Sequence, residues 1–431
     1  MLTNEANRLI TRTGPGTPMG EYLRRYWIPA LTSAELEVLD GPPLRIKLLN
    51  EELIAFRTTS GEVGLIQNAC PHRGASLFFG RNEEEGLRCV YHGWKFDTSG
   101  NCVDMPSEPA ESNFKKKVRA TAYPTMERGG LVWTYMGSPE LMPELPPYEW
   151  TQVPEGYVHT SRRLQECNYL QGIEGGIDSS HVPFLHGVLE PERRAAPNQK
   201  YLYRDTAPRL RVLKTDYGFA YGAERNAEDS SYYWRLTPFL FPFFTVIPGF
   251  TVTPDQKKDD AHQLTYSGHG WVPRDDETCW MVTYSWNASR RLEPGEGHPA
   301  HFLNIDPRTL RADVNSDNDY RIDREVQRSS TYTGIANGSI QDAAVQESMG
   351  SIYDRTKEHL GRSDAAIIYL RQMYLDATRK IQESKEPFLA TRKESFRVRS
   401  VSAILEREVP FEDGLKYMEI PGRETTQIAS V

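Results

Sequence analysis

The chain has 431 residues, 38% of them hydrophobic and 26% charged, a length that means two domains or one large one with enough apolar material for a core. Lys and Arg number 51 against 59 Asp and Glu, a net charge of −8 that gives no reason to expect a nucleic-acid partner. The first residues carry no continuous apolar run, and the most apolar stretch, Pro238 to Phe250, is too short and too proline-broken to span a bilayer. A cytoplasmic protein with no membrane contact is expected. Five cysteines in so long a chain make no disulfide framework and read as reduced thiols or metal ligands.

In chain order, residues 1–25 read as a short amphipathic helix and a loop rich in Gly and Pro, Thr13 to Gly20. Residues 26–138 read as short strands and turns. Leu44, Ile46 and Leu48 alternate with polar neighbours and lead through Asn50 into Leu53 to Phe56, a hairpin pattern. Leu87 to Phe96 reads as one strand, closed by the turn Asp97 to Asn101, and Leu131 to Met136 as the last. Residues 139–156 form a proline-rich linker. Residues 157–431 are α+β, a large antiparallel sheet with helices against it. Strands are expected at 157–165, 201–204, 210–222, 231–247, 262–273 and 279–286, and helices at 168–181, 339–349 and 364–384. Ile367, Leu370, Tyr374, Ala377 and Ile381 share one face of the last helix, with Ser363 as its N-cap.

Two constellations carry chemistry. The first is Cys70-Pro-His72-Arg-Gly followed, after sixteen residues from His72, by Cys89-Val-Tyr-His92-Gly-Trp94. Each loop offers one thiolate and one imidazole. Zinc fingers usually pair their cysteines and then their histidines, whereas one Cys and one His per loop suits a [2Fe–2S] cluster with two thiolates on one iron and two histidines on the other. A structural zinc site remains the alternative. The flanking residues, CPHRG and CxYHGWKF, resemble the Rieske family. No spare cysteine stands in either loop, as respiratory Rieske proteins would require, so the resemblance is to the oxygenase or ferredoxin type. Trp94 is expected to pack over the cluster.

The second constellation runs from Asn168 through Glu174, Asp178, Ser179 and His181 to His186. On one continuous helix Glu174, Asp178 and His181 share a face, while His186 points elsewhere. Pro183 disfavours helix at Val182 and offers a break that returns His186 to His181. Two histidines and one carboxylate hold the iron of non-haem Fe(II) oxygenases.

With both constellations in this order, the chain resembles the terminal oxygenase of a Rieske non-haem iron system over nearly its whole length. The phrases GTPMGEYLRRYWIPAL and QESMGSIYDRTKEHLG resemble the phthalate dioxygenase group in particular. That resemblance implies an all-β Rieske [2Fe–2S] domain on Cys70, His72, Cys89 and His92, followed by a helix-grip catalytic domain. It implies a mononuclear Fe(II) on His181, His186 and Asp342, with Glu347 the rival carboxylate. Asp178 becomes a bridge between a cluster histidine of one subunit and His181 of another, in a homotrimer or dimer of trimers, and Asn168 stands near the iron or caps its helix. Electrons would come from NADH through a separate flavin/iron–sulfur reductase, since no dinucleotide fingerprint is present here. The substrates would be O2 and an aromatic molecule. Hydroxylation of a phthalate-like aromatic acid is expected, with O-demethylation of a methoxylated or biaryl substrate as the alternative. A Rieske electron carrier and a zinc-stapled ligand-binding protein are more distant rivals. Ser179, Arg209 and Arg235 are candidate carboxylate contacts, and Phe239, Phe241, Phe243, Phe244 and Val246 candidate pocket walls.

Overall fold

The computed structural model describes residues 1–196, 199–228, 230–249, 251–252, 264–390 and 393–420. Phe250, the end of the apolar stretch, and residues 262–263, the start of one expected strand, lie outside them. Two helices open the chain, α1 (Asn4–Thr11) and α2 (Pro18–Leu23). The hydroxyls of Thr3 and Thr17 accept from the N–H groups of Ala6 and Gly20 as N-caps, and Pro18 occupies the first turn of α2, where a missing N–H costs nothing. Part of the expected Gly/Pro loop is therefore helical.

The first domain is three small antiparallel sheets. β1 (Trp27–Thr32) pairs with β10 (Leu131–Tyr135), which pairs with β9 (Thr125–Arg128). β2 (Leu44–Leu48), β3 (Glu51–Arg57) and β4 (Val63–Gln67) form the second sheet. β5 (Arg81–Glu83), β6 (Gly86–Arg88), β7 (Lys95–Phe96) and β8 (Cys102–Asp104) form the third. The expected strand Leu87–Phe96 is thus two strands, because Cys89 to Trp94 closes on itself as a loop.

The second domain is built on a nine-stranded sheet. β11 (Val158–Gln165), β12 (Arg209–Thr215), β13 (Gly218–Asn226), β14 (Ser231–Leu240), β15 (Phe244–Ile247), β17 (Thr265–Pro273) and β18 (Cys279–Asn287) run in the order β11-β18-β17-β15-β14-β13-β12. β19 (Val401–Glu406) lies beside the first half of β14, and β16 (Thr251–Val252) beside β19. The expected strands 210–222 and 231–247 are each two strands joined by a turn. Helices α3 (Tyr169–Gly176), α4 (Val182–Leu185), α5 (Pro191–Arg194), α6 (Lys200–Arg204), α7 (Arg324–Ser329), α8 (Gly338–Ser348), α9 (Ala365–Gln382) and α10 (Phe411–Gly414) lie with this sheet in the second domain. Residues 201–204, expected as a strand, belong to α6. Their alternating tyrosines mimic a strand, but Tyr201 and Leu202 are adjacent and both buried, against Ala227 and Tyr233. Asp364, not Ser363, stands at the N-cap position of α9, after one 3-10 turn.

α3 positions the second constellation. It lies against β17 through Gly172 and Gly176, where a Cβ would collide with Trp271. Glu174 is consumed here. Its carboxylate accepts from Arg355 (Nη2, 2.9 Å) and Arg371 (Nε, 2.6 Å), and Arg371 also donates to Glu358 at 2.9 Å. All four side chains are buried. Removing one member of such a cluster leaves an uncompensated buried charge, so Glu174→Leu is expected to lower stability by about 3–5 kcal/mol. Urea unfolding followed by tryptophan fluorescence checks this, and an unmoved first transition would contradict it. Arg355 also donates to Asn7 of α1, and Tyr22 of α2 donates to the carbonyl of Phe388 just past α9. Residues 1–25 therefore pack with the second domain.

Candidate metal centres and their cavity

The two loops of the first constellation are built alike. Cys70 N–H donates to Ala75 and Cys70 C=O accepts from Gly74, both at 2.8 Å; Cys89 does the same with Trp94 (2.8 Å) and Gly93 (2.9 Å). The closing glycines have φ of 75° and 77°, the left-handed region that glycine enters freely. The loops bring His72 and His92 together, with ring centroids 4.3 Å apart, and Trp94 stacks on His72 at 4.2 Å. Both thiols are buried, and burial pushes Cys70 up to about 11. A thiolate in that setting calls for a metal's positive charge. Nδ1 of His72 is buried with no hydrogen-bond partner among the described residues. Buried thiols and an unpartnered imidazole nitrogen on facing loops fit a two-iron cluster.

The second constellation departs from the expected helix. α3 ends at Gly176, well before Pro183, and Pro183 sits in the first turn of a new helix, α4, rather than breaking an old one. Asp178 and His181 thus stand in a connecting loop, and Glu174 does not share their face. The loop still delivers the histidines: His181 Nε2 and His186 Nε2 are 3.2 Å apart. Asp342 of α8 brings Oδ1 to 3.8 Å and 3.5 Å from them. Right-angled bonds of about 2.1 Å to one iron would set ligand atoms about 3 Å apart, so the triangle needs little adjustment to hold a metal. Glu347 is engaged elsewhere, accepting from the N–H of Glu166 and the hydroxyl of Tyr320.

The outer nitrogens are also fixed. Asp178 Oδ2 lies 3.3 Å from His181 Nδ1, and its Oδ1 accepts from Ser180 N–H at 2.6 Å. His186 Nδ1 lies 2.7 Å from Oε1 of Gln341, whose amide nitrogen donates to Ile335 C=O at 2.7 Å. Each outer nitrogen therefore faces an acceptor, which leaves both Nε2 lone pairs for a metal. Burial alone would raise Asp178, yet its contacts with His181 and the backbone leave it below the usual carboxylate range. Gln341 was not foreseen from sequence; its position beside Asp342 on α8 was the one available sign. Asn168 caps α3 at the end remote from this site, accepting from Leu170 N–H and donating to the carbonyls of Thr11 and Asp276.

A cavity of about 440 Å³ opens on the triad, and His181, His186 and Asp342 are part of its wall. Ser179 and Arg235 line it, but Arg209 does not. Arg209 is half-exposed and ion-paired with Glu224, its cross-strand neighbour. The five candidate wall residues from Phe239 to Val246 do not line it either. Strand alternation points Thr245 and Ile247 of β15 into the cavity and Phe244 and Val246 into the core, where the three other phenylalanines also pack. A residue missed from sequence is Arg225. It is fully buried, donates to the carbonyl of Ser179 at 2.8 Å, and its Nε has no hydrogen-bond partner among the described residues. Burial, and then the neighbouring Arg235 cation, pull it down to about 10.

Comparison with known proteins agrees with this geometry. Residues 26–124 match the Rieske [2Fe–2S] domain model and residues 134–421 the LigXa C-terminal domain model. The chain is 40% identical to a 3-chlorobenzoate-3,4-dioxygenase oxygenase subunit of Comamonas testosteroni, covering 88% of this chain and 89% of that one. It is 37% identical to a phthalate 4,5-dioxygenase oxygenase subunit of Pseudomonas putida, covering 96% and 94%. A 5,5'-dehydrodivanillate O-demethylase oxygenase subunit of Sphingobium is 33% identical over 90% and 83%. Among solved structures, a caffeine-bound mutant of NdmA from Pseudomonas putida CBB5 shares the fold, with TM-score 0.59 and 20% identity over 91% of this chain and all of that one. No helix among the described residues is long and apolar enough to cross a membrane.

Proposed function

The chain belongs to the Rieske terminal oxygenases, and from that footing we propose that it oxidises an aromatic acid whose carboxylate is held by Arg235 beside Arg225 and Ser179. It is an oxidoreductase with a Rieske cluster and a mononuclear iron, served with electrons from NADH by a partner reductase. Cys70, His72, Cys89 and His92 hold the cluster; His181, His186 and Asp342 hold the iron. The bound metals supply electron delivery and dioxygen activation.

The observation that carries the substrate class is a pair of cations with no ion-pair partner among the described residues. Arg235 lines the cavity and makes no hydrogen bond or ion pair among the described residues, and Arg225 bonds only to Ser179. Ala223 stands opposite Arg235 in the β13–β14 register, so Arg225 and Arg235 share one sheet face with Tyr221 and Thr237 of the cavity wall. A carboxylate between them satisfies the free donors and offsets their mutual repulsion. The protein's other tasks there are to orient the ring and exclude water. Asp178, touching His181 and lining the same cavity, is the bridge by which a neighbouring subunit's cluster reaches the iron histidine in a trimer or dimer of trimers.

Anaerobic titration of the holoenzyme with benzoate and with benzamide tests the anchor. The acid should bind more tightly, and Arg235→Leu should remove roughly 10- to 100-fold of its affinity while leaving the amide unchanged. Equal binding of acid and amide would overturn the reading. O-demethylation is a second reading, favoured by the 33% identity to the 5,5'-dehydrodivanillate O-demethylase oxygenase subunit, and stoichiometric formaldehyde from a methoxybenzoate would identify it.

A further inference from the structure

The cavity has a second polar pole, on β17, away from the arginines. His269 is more than nine-tenths buried and lines the cavity, yet neither ring nitrogen has a hydrogen-bond partner among the described residues. A buried imidazole with two idle nitrogens is costly unless something else occupies it. The backbone of Gly176 favours a proton on the ring but completes no hydrogen bond. Beside it stands His298, also buried and cavity-lining, with ring centroids 5.5 Å apart. His298 Nδ1 accepts from Ala300 N–H at 3.1 Å, so in the neutral ring Nε2 carries the proton, and that N–H has no partner among the described residues either.

The sheet sets the separation of the two poles. Thr245 of β15 stands opposite His269 in one direction and Phe239 of β14 in the other, and Arg235 lies four residues back along β14. Two strand spacings across and four residues along put the two backbones roughly 16 Å apart. Arginine and imidazole reaching inward from those positions leave a gap of about one substituted ring between them. Adjacent carboxylates, as on phthalate, would both sit at the arginine pole and leave His269 idle.

We propose that His269 is a substrate-binding residue, hydrogen-bonding an uncharged oxygen, a hydroxyl or ether, carried by the aromatic acid at a ring position remote from its carboxylate. The proposal rests on the carboxylate reading above and narrows it to hydroxylated or alkoxylated aromatic acids. Burial pushes His269 down to about 4, so at neutral pH the ring is uncharged, with one N–H donor and one acceptor. That suits a neutral oxygen better than a second anion. The acceptor nitrogen separates the two oxygen types: a hydroxyl can bond either ring nitrogen, donating to one or accepting from the other, whereas an ether can only accept from the N–H.

The test is calorimetric binding to the anaerobic holoenzyme of 3- and 4-hydroxybenzoate against 3- and 4-methylbenzoate, near-isosteric pairs differing in the hydrogen-bonding group. At least one hydroxy acid should bind roughly 3- to 10-fold more tightly than its methyl counterpart. His269→Phe should bring that ratio to about one without weakening the methylbenzoates, and His269→Gln, which keeps a donor and an acceptor, should retain much of it. An unchanged ratio in both variants overturns the proposal. So does loss of the mononuclear iron from both, which would make His269 a support for the metal ligands. If the acids bind no better than their amides, the Arg235 reading has failed; if they bind and only the ratio fails, the fault lies with His269.

Discussion

Asp342→Ala should yield a red-brown protein with about two irons per chain in place of about three, and no product. The cluster loops lie in another domain and do not touch α8, so the visible spectrum and its bleaching on reduction should be those of the wild type. The loss is confined to the iron site because Asp342 brings both the third donor and, among the described residues, the only negative charge facing the two Nε2 atoms, at 3.5 Å and 3.8 Å. Without it, His181 Nε2 and His186 Nε2 face each other at 3.2 Å with nothing to make a third ligand. Product formation should fall below about 1% of wild type, a loss in keeping with removal of one member of a unit that acts together. Glu347→Gln is the matched control: Glu347 bonds Glu166 and Tyr320, so this variant should keep about three irons. Metal analysis with the visible spectrum reads both variants. Three irons in Asp342→Ala, or two in Glu347→Gln, would reassign the ligand.

Asp178→Asn should separate electron arrival from metal binding. The asparagine keeps the shape of the carboxylate and can still accept from Ser180 N–H, so the loop and both histidines should stay in place. What is lost is the charge facing His181 Nδ1 and the second acceptor oxygen through which a neighbouring subunit's cluster histidine would connect. The cluster should still reduce fully with dithionite, and iron content should be unchanged. In a single turnover of reduced enzyme with substrate and O2, cluster reoxidation should slow by about 100-fold. A variant whose cluster reoxidises at the wild-type rate would remove Asp178 from the electron path.

What could be read in the sequence follows from how local each feature is. The proposed cluster ligands come in two tight pairs, Cys70 with His72 and Cys89 with His92, and the turns that align them are closed by glycines at fixed offsets. His181 and His186 are likewise close in sequence, so their meeting needed only a break in the helix. The break itself was misplaced, because two adjacent glycines and packing against Trp271 end α3 earlier than Pro183 would. Glu174 was assigned to a shared face by helical period, but two arginines more than 180 residues away claim it. Asp342 needed family resemblance, since nothing local distinguishes it from Glu347. Arg225, Arg235, His269 and Gln341 owe their proposed roles to strand register and to contacts between distant elements. Among these only Arg235 was anticipated, again through resemblance. Arg209 fails for the same reason: its strand brings it opposite Glu224 and away from the cavity.

The packing of α1 and α2 onto α9 makes the cluster domain an insertion, entered at Trp27 and left near Val158, within a body that begins before it and continues after it. Such a module is moored by two chain crossings in place of one. A single hinge residue cannot swing it, and a cut in either crossing still leaves it attached. For the inter-subunit electron transfer proposed above, this double mooring would fix the direction in which the cluster faces. It also means that an excised second domain begun at the linker would lack the helices that complete its own core.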